Sequence, residues 1–161
     1  MAKDVAFLKK LRKVNDEFTV TICENGYVVA VSGEDRLKWL HDLTTQYLLD
    51  VPAGQWLPAM ILDPQGHVEY QFNIVDDGST SWIVIDPGYA QGLIEYLNKM
   101  KFMLRVEVKD MSDQYSCIRI AGIPDAMGGP FKIVKKGEEK LPETEVGIWA
   151  LEAQRVVAGR A

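Results

Sequence analysis

The sequence predicts an α+β protein: an antiparallel-rich sheet with two helices on one face, of the split-βαβ or ferredoxin-like type. Three observations predict it. Residues 18–23 and 67–75 alternate apolar and polar side chains at strand period. Two other segments, one following Ser32 and one following Asp86, repeat apolar residues at helical spacing. Between them lies a meander punctuated by turn residues, and strand-like runs follow the second helical segment.

The elements follow in order. Residues 4–14 place Val5, Leu8 and Leu11 on one side and basic residues elsewhere, which predicts a short amphipathic helix or arm over 1–17. In 18–23, Phe18, Val20 and Ile22 face one way and Thr19, Thr21 and Cys23 the other. Asn25-Gly26 then signals a tight turn. Residues 18–23 and 27–31 are therefore expected to pair as an antiparallel hairpin. Ser32 is expected to cap the first helix, because its hydroxyl can accept from a free backbone N–H two or three residues on. Asp35 stands where a capping box places its acid, and Glu34 suits the positive end of the helix dipole. Leu37, Leu40, Thr44 and Leu48 carry the helical stripe onward.

Residues 56–62 read as a strand, and Pro58 argues for an edge or a bulge there. Asp63-Pro64-Gln65-Gly66 has Pro second and Gly fourth, as a β-turn prefers. The return strand at 67–75 and a third at 81–85 complete the meander. Asp86 is a good N-cap and Pro87 fits the first helical position, so a helix is expected over 88–101. Strands are expected at 103–109 and 115–120. The pattern weakens beyond Ala121: loop material to Pro130, a charged turn at 135–140, and a helical stripe through Val146, Trp149, Ala153 and Val156.

The totals exclude several classes. A chain of 161 residues with 47% apolar and 25% charged residues can bury a core of its own. A net charge of −5 and a pI near 5.1 give no global attraction for nucleic acid or an anionic membrane. No run of eighteen apolar residues is present, and the N-terminus has no apolar signal core, which together predict a cytoplasmic protein. Cys23 and Cys117 lie in separate strand-like runs, outside any Cys-x-x-Cys pair, and read as two buried thiols.

A search for chemistry returns little. Gly26, Gly33 and Gly54 lack the spacing of a phosphate loop, and no metal-binding His or Cys cluster occurs. His41, at the edge of the first helix's apolar face, reads as structural. His67, on the polar side of its strand, reads as exposed.

The order of several segments nevertheless resembles one family. They are VAVSGEDRLKWLHDLTTQ at 29–46, LDPQGHVE at 62–69, WIVID at 82–86, LRVEVKD at 104–110, and IWALEAQRV at 148–156. Together they resemble the folate-binding proteins related to the glycine-cleavage T-protein (aminomethyltransferase), and within them the YgfZ-like branch. The resemblance implies the first domain of the aminomethyltransferase folate-binding fold over 18–122. Residues 123–161 would then be a loop and helix leading toward a second half. It implies tetrahydrofolate as cofactor, with Tyr70, Gln71 and Asp86 near it. It also implies iron–sulfur proteins, including a tRNA-modifying one, as clients. The Lys-Gly-Cys motif of the YgfZ-like branch is not among these residues.

At the place where aminomethyltransferases carry an acidic pair, this sequence has Tyr70-Gln71. A Gln amide cannot act as a general base. That leans the expectation away from an enzyme and toward a non-catalytic folate-binding accessory protein. An aminomethyltransferase and a ligand-free interaction domain are the alternatives. Asp86 has a competing explanation as a helix cap. Adjacent strand residues point to opposite faces, so at most one of Tyr70 and Gln71 lies fully in a cavity.

Overall fold

The computed structural model describes residues 20–24, 26–121 and 131–138. The expected helical segments at 4–14 and 145–157, the loop at 122–130 and the side chain of Cys23 lie outside the described residues. The elements are β1 (Val20–Glu24), β2 (Tyr27–Ser32), α1 (Arg36–Leu43), β3 (Leu57–Leu62), β4 (Val68–Asp76) and β5 (Thr80–Ile85). They continue with α2 (Pro87–Met100), β6 (Glu107–Asp110), β7 (Tyr115–Ala121) and β8 (Phe131–Lys135).

The main sheet has five strands in the order β3-β4-β5-β2-β6, each pair antiparallel. Both β5 and β6 run antiparallel to β2, so they run parallel to each other with β2 between them. The unit β5–α2–β6 is thus the split βαβ that the pattern predicts. Alternation sets the layers. Val29 and Val31 of β2, Phe72 and Ile74 of β4, and Ile83 and Ile85 of β5 all join one buried cluster with Trp39 and Leu40 of α1 and Leu93 and Leu97 of α2. Both helices therefore cover the same face, as expected. Each fully buried Leu or Ile here contributes roughly 2 kcal/mol by leaving water.

Part of the opposite face is covered too. Sheet β1-β7-β8 lies over it, and Val28, Val84 and Cys117 form a second, smaller core with Trp82, Tyr115 and Ile133 packed around them. This corrects the expected hairpin, because β1 pairs with β7 and not with β2. The reason is that β2 already spends both of its edges, on β5 and on β6. Gly26 serves packing here. A Cβ on it would stand 2.9 Å from Val84 Cγ1 and 3.6 Å from Cys117 Cβ, between the two sheets.

The start of α1 is also corrected. Ser32 is the last residue of β2, paired with Thr80 and Glu107, and does not cap the helix. Asp35 takes the N-cap position without a side-chain cap bond. Its carboxylate is engaged elsewhere, accepting from the Arg105 backbone N–H at 2.9 Å and from its guanidinium. The helix ends at Leu43, and Leu48 is buried from the segment beyond it. The strand expected from 103 starts only at Glu107, because Lys101–Leu104 form a turn closed by a Leu104 N–H to Lys101 carbonyl bond of 2.9 Å. Strand β8 was not foreseen.

Strand β3 is an edge strand, as Pro58 argues. Thr45 N–H donates to the Met60 carbonyl at 2.9 Å from the outer side. Pro58 has the same parity as Met60, so the N–H it lacks would have pointed to that same outer side.

Candidate functional site

Strand alternation separates the two neighbours Tyr70 and Gln71. Phe72 and Ile74 point toward the helices, so Tyr70 does too, while Gln71 and Asn73 point to the other face. Tyr70 packs beneath α2, its ring centroid 5.8 Å from that of Tyr96. Its hydroxyl lies 3.1 Å from where a Cβ on Gly92 would be, so Gly92 leaves room for the phenol under the helix. Burial, with help from Glu69 and Glu95, raises the Tyr70 phenol above its ordinary value.

Gln71 is exposed. The small sheet covers the β2–β5 part of its face and leaves the β3–β4 part open. Its cross-strand partner is half-buried Met60. The next pair on that face is Leu62 with Val68, which are 41% and 54% exposed. The register shifts between Ile61 and Leu62, leaving Glu69 as the extra residue of a bulge. A neutral amide thus stands beside a shallow apolar surface of Met60, Leu62 and Val68. These three neighbours on the face were missed in the sequence. Pairing directly across the Asp63–Gly66 turn would have set Gln71 opposite Pro58, and only the observed register and bulge bring these residues beside it.

Asp86 lies one residue past β5. The register that pairs Asn73 with Val84, run two residues further, sets Asp86 opposite Gln71. The structure thus brings Gln71 and Asp86 to one end of the sheet and puts Tyr70 on the other face. Asp86 is also a helix cap. Its Oδ1 accepts from Gly88 N–H at 2.8 Å, and its carbonyl from Tyr89 N–H at 3.0 Å. Near this end, the Asp110 carboxylate beside Tyr27 raises its phenol above the ordinary value, a link that nothing in the sequence signals.

The two histidines hold local structure. His41 Nδ1 faces the Gln46 carbonyl at 3.4 Å and its ring meets Tyr47 edge-on. His67 Nδ1 pairs with Asp63 at 3.0 Å and is exposed. Among the described residues no group of His, Cys, Asp and Glu is placed to hold a metal, and no helix is long and apolar enough to cross a membrane.

Chemically, the Gln71 amide can donate and accept one hydrogen bond each toward a polar ring edge, and the apolar patch can meet a flat ring face. It can neither take up a proton nor hold a charge.

No family model matches the chain. A chloroplastic protein of Arabidopsis thaliana with a provisional transferase designation is 29% identical over 125 residues, covering 67% of this chain and 27% of that protein. The solved glycine cleavage system aminomethyltransferase T of Bartonella henselae superposes with a TM-score of 0.62 at 16% identity. That match covers 74% of this chain and 33% of the other. The described part therefore has the aminomethyltransferase fold. The chain spans about a quarter of the length of the curated relative and a third of the solved one.

Proposed function

We propose that this chain supplies one wall of a tetrahydrofolate site in a non-catalytic accessory protein of the YgfZ-like kind. Gln71 and Asp86 sit at the folate edge of that wall, and Tyr70 props α2 behind it. The observation that carries the proposal is the exposed Gln71 amide beside Met60, Leu62 and Val68, at the place where the resembling enzymes carry an acid. The fold shared with an aminomethyltransferase supports the folate half of the reading. The role toward iron–sulfur proteins rests on the family resemblance alone. Because the matched region is only a third of the solved relative, the remaining walls of the cavity would come from sequence beyond it.

The test is calorimetric titration of folinic acid. A chain extended to the length of the solved relative is expected to release heat on binding, and the 161 residues by themselves to bind more weakly than micromolar. A folded extended chain that gives no heat would remove the folate reading. Methylene transfer from an aminomethyl carrier protein to tetrahydrofolate would restore the enzyme reading, in which a group other than Gln71 takes the proton.

A further inference from the structure

The turn after α2 displays apolar side chains to solvent instead of burying them. Phe102 and Met103 are its two central residues, 82% and 98% exposed. Phe102 holds a φ of +42°, a left-handed conformation that side chains other than Asn and Asp rarely adopt. The base of the turn is clamped. Arg105 N–H and guanidinium both reach the Asp35 carboxylate, and the guanidinium also pairs with Glu34. Val106 N–H donates to the Leu104 carbonyl at 2.9 Å. Gly33 (φ +113°) lies so close to the Arg105 carbonyl that any Cβ would collide with it. The tip is thus held outward and cannot fold back to hide its thioether.

We propose that Met103 is an oxidation site at which a hydroperoxide converts this apolar tip into a polar one. The chemistry is a two-electron oxygen transfer. The thioether sulfur attacks the peroxide, the O–O bond breaks and an S–O bond forms. The sulfur is oxidised to the sulfoxide and hydrogen peroxide is reduced to water, with no net proton released. Exposure sets which methionine reacts first. Among the described methionines, Met100 packs against the main core, Met111 against the small one, and Met60 is half-buried on the sheet. Met1 and Met127 lie outside the described residues. Because Met103 is 98% exposed and belongs to no buried cluster of the described residues, its sulfoxide is expected to cost no core contact there and to leave the fold unchanged. The proposal does not depend on the folate reading.

The experiment titrates the 161-residue chain with hydrogen peroxide and maps oxygen uptake by peptide mass spectrometry. Met103 is expected to oxidise at least about tenfold faster than Met60, Met100 and Met111. Protein singly oxidised at Met103, as located by the peptide map, should elute earlier from a hydrophobic-interaction column, with its circular dichroism and urea midpoint unchanged. Met103→Leu should abolish that species and its elution shift together, and methionine sulfoxide reductase should reverse both. Met103 reacting no faster than Met100, or an elution position that stays put, would overturn the proposal. So would loss of structure with the first oxygen added at Met103.

Discussion

Arg36 and Asp76 meet as a two-pronged ion pair, Nε to Oδ2 and Nη2 to Oδ1, both at 2.9 Å. The pair ties the first turn of α1 to the end of β4. It is nearly closed to water, with side chains 10% and 14% exposed. Ser81 Oγ donates to the same carboxylate at 2.6 Å, Gly78 N–H at 2.8 Å, and Arg36 also reaches the Gly33 carbonyl. Burial alone would raise the Asp76 carboxyl, but the hydrogen bonds from Arg36, Ser81 and Gly78 outweigh it and hold it below the usual range. Removing one partner strands the other charge. Arg36→Met is expected to cost about 3 kcal/mol in urea denaturation. The double variant Arg36→Met/Asp76→Leu should cost clearly less than the sum of the two single changes. Full additivity would show that the pair is not coupled.

Asp77 predicts how the fold responds to acid. Burial pushes against its charge, yet Trp82 Nε1–H, the Ser79 and Thr80 backbone N–H groups and the Ser79 hydroxyl hold it at about 2. A depressed carboxyl gives stability that is fully present above the unfolded value and lost as pH falls through the folded one. The loss should therefore run from about pH 4 down to about pH 2. Asp77→Asn should flatten that part of the urea midpoint against pH. An unchanged slope would count against the assignment.

Two glycines separate crowding from backbone conformation alone. Gly33→Ala meets both a φ of +113° and the Arg105 carbonyl, and is expected to cost about 3 kcal/mol. Gly54→Ala has a φ of +85° but open space around it, and should cost only about 1 kcal/mol. Equal costs would mean that the contact with Arg105 relaxes freely.

Asp86 is expected to separate its structural and ligand roles by substitution. Asp86→Ala should lose about 1 kcal/mol with the cap, and Asp86→Ser should recover most of it. Gln71→Glu, on the open face, should stay within about 0.5 kcal/mol of the parent. Any larger change in folinic acid affinity at Gln71 than in stability would then report on the ligand.

Local signals were legible where local physics decides. Asp86-Pro87 starts a helix through a side-chain cap and a preset φ, and the Asp63–Gly66 turn joins two strands; both appear as read. Partnership was not legible. Asn25-Gly26 has the chemistry of a hairpin turn, but nothing in residues 18–31 says that β6, some eighty residues later, claims the other edge of β2. Asp35 reads as a capping acid until Arg105 arrives from beyond α2. Strand β8 is short and lysine-rich, and it exists because β7 offers it an edge. The same limit applies at the site. The identity of Gln71 was plain, whereas its company of Met60, Leu62 and Val68 depended on register and a bulge.

Pro58 has one more consequence. The sequence Leu57-Pro58-Ala59-Met60-Ile61-Leu62 is uncharged and almost wholly apolar, and it ends a sheet, which is the kind of segment on which copies of a chain zip together into fibrils. Its outer rim is interrupted twice, by the donor that proline lacks and by Thr45 occupying the Met60 carbonyl. One of the two guards is a residue that contributes no hydrogen bond to the ladder, so Pro58→Val is expected to leave the monomer folded and to quicken fibril growth in a thioflavin assay, with Thr45 still occupying the Met60 carbonyl.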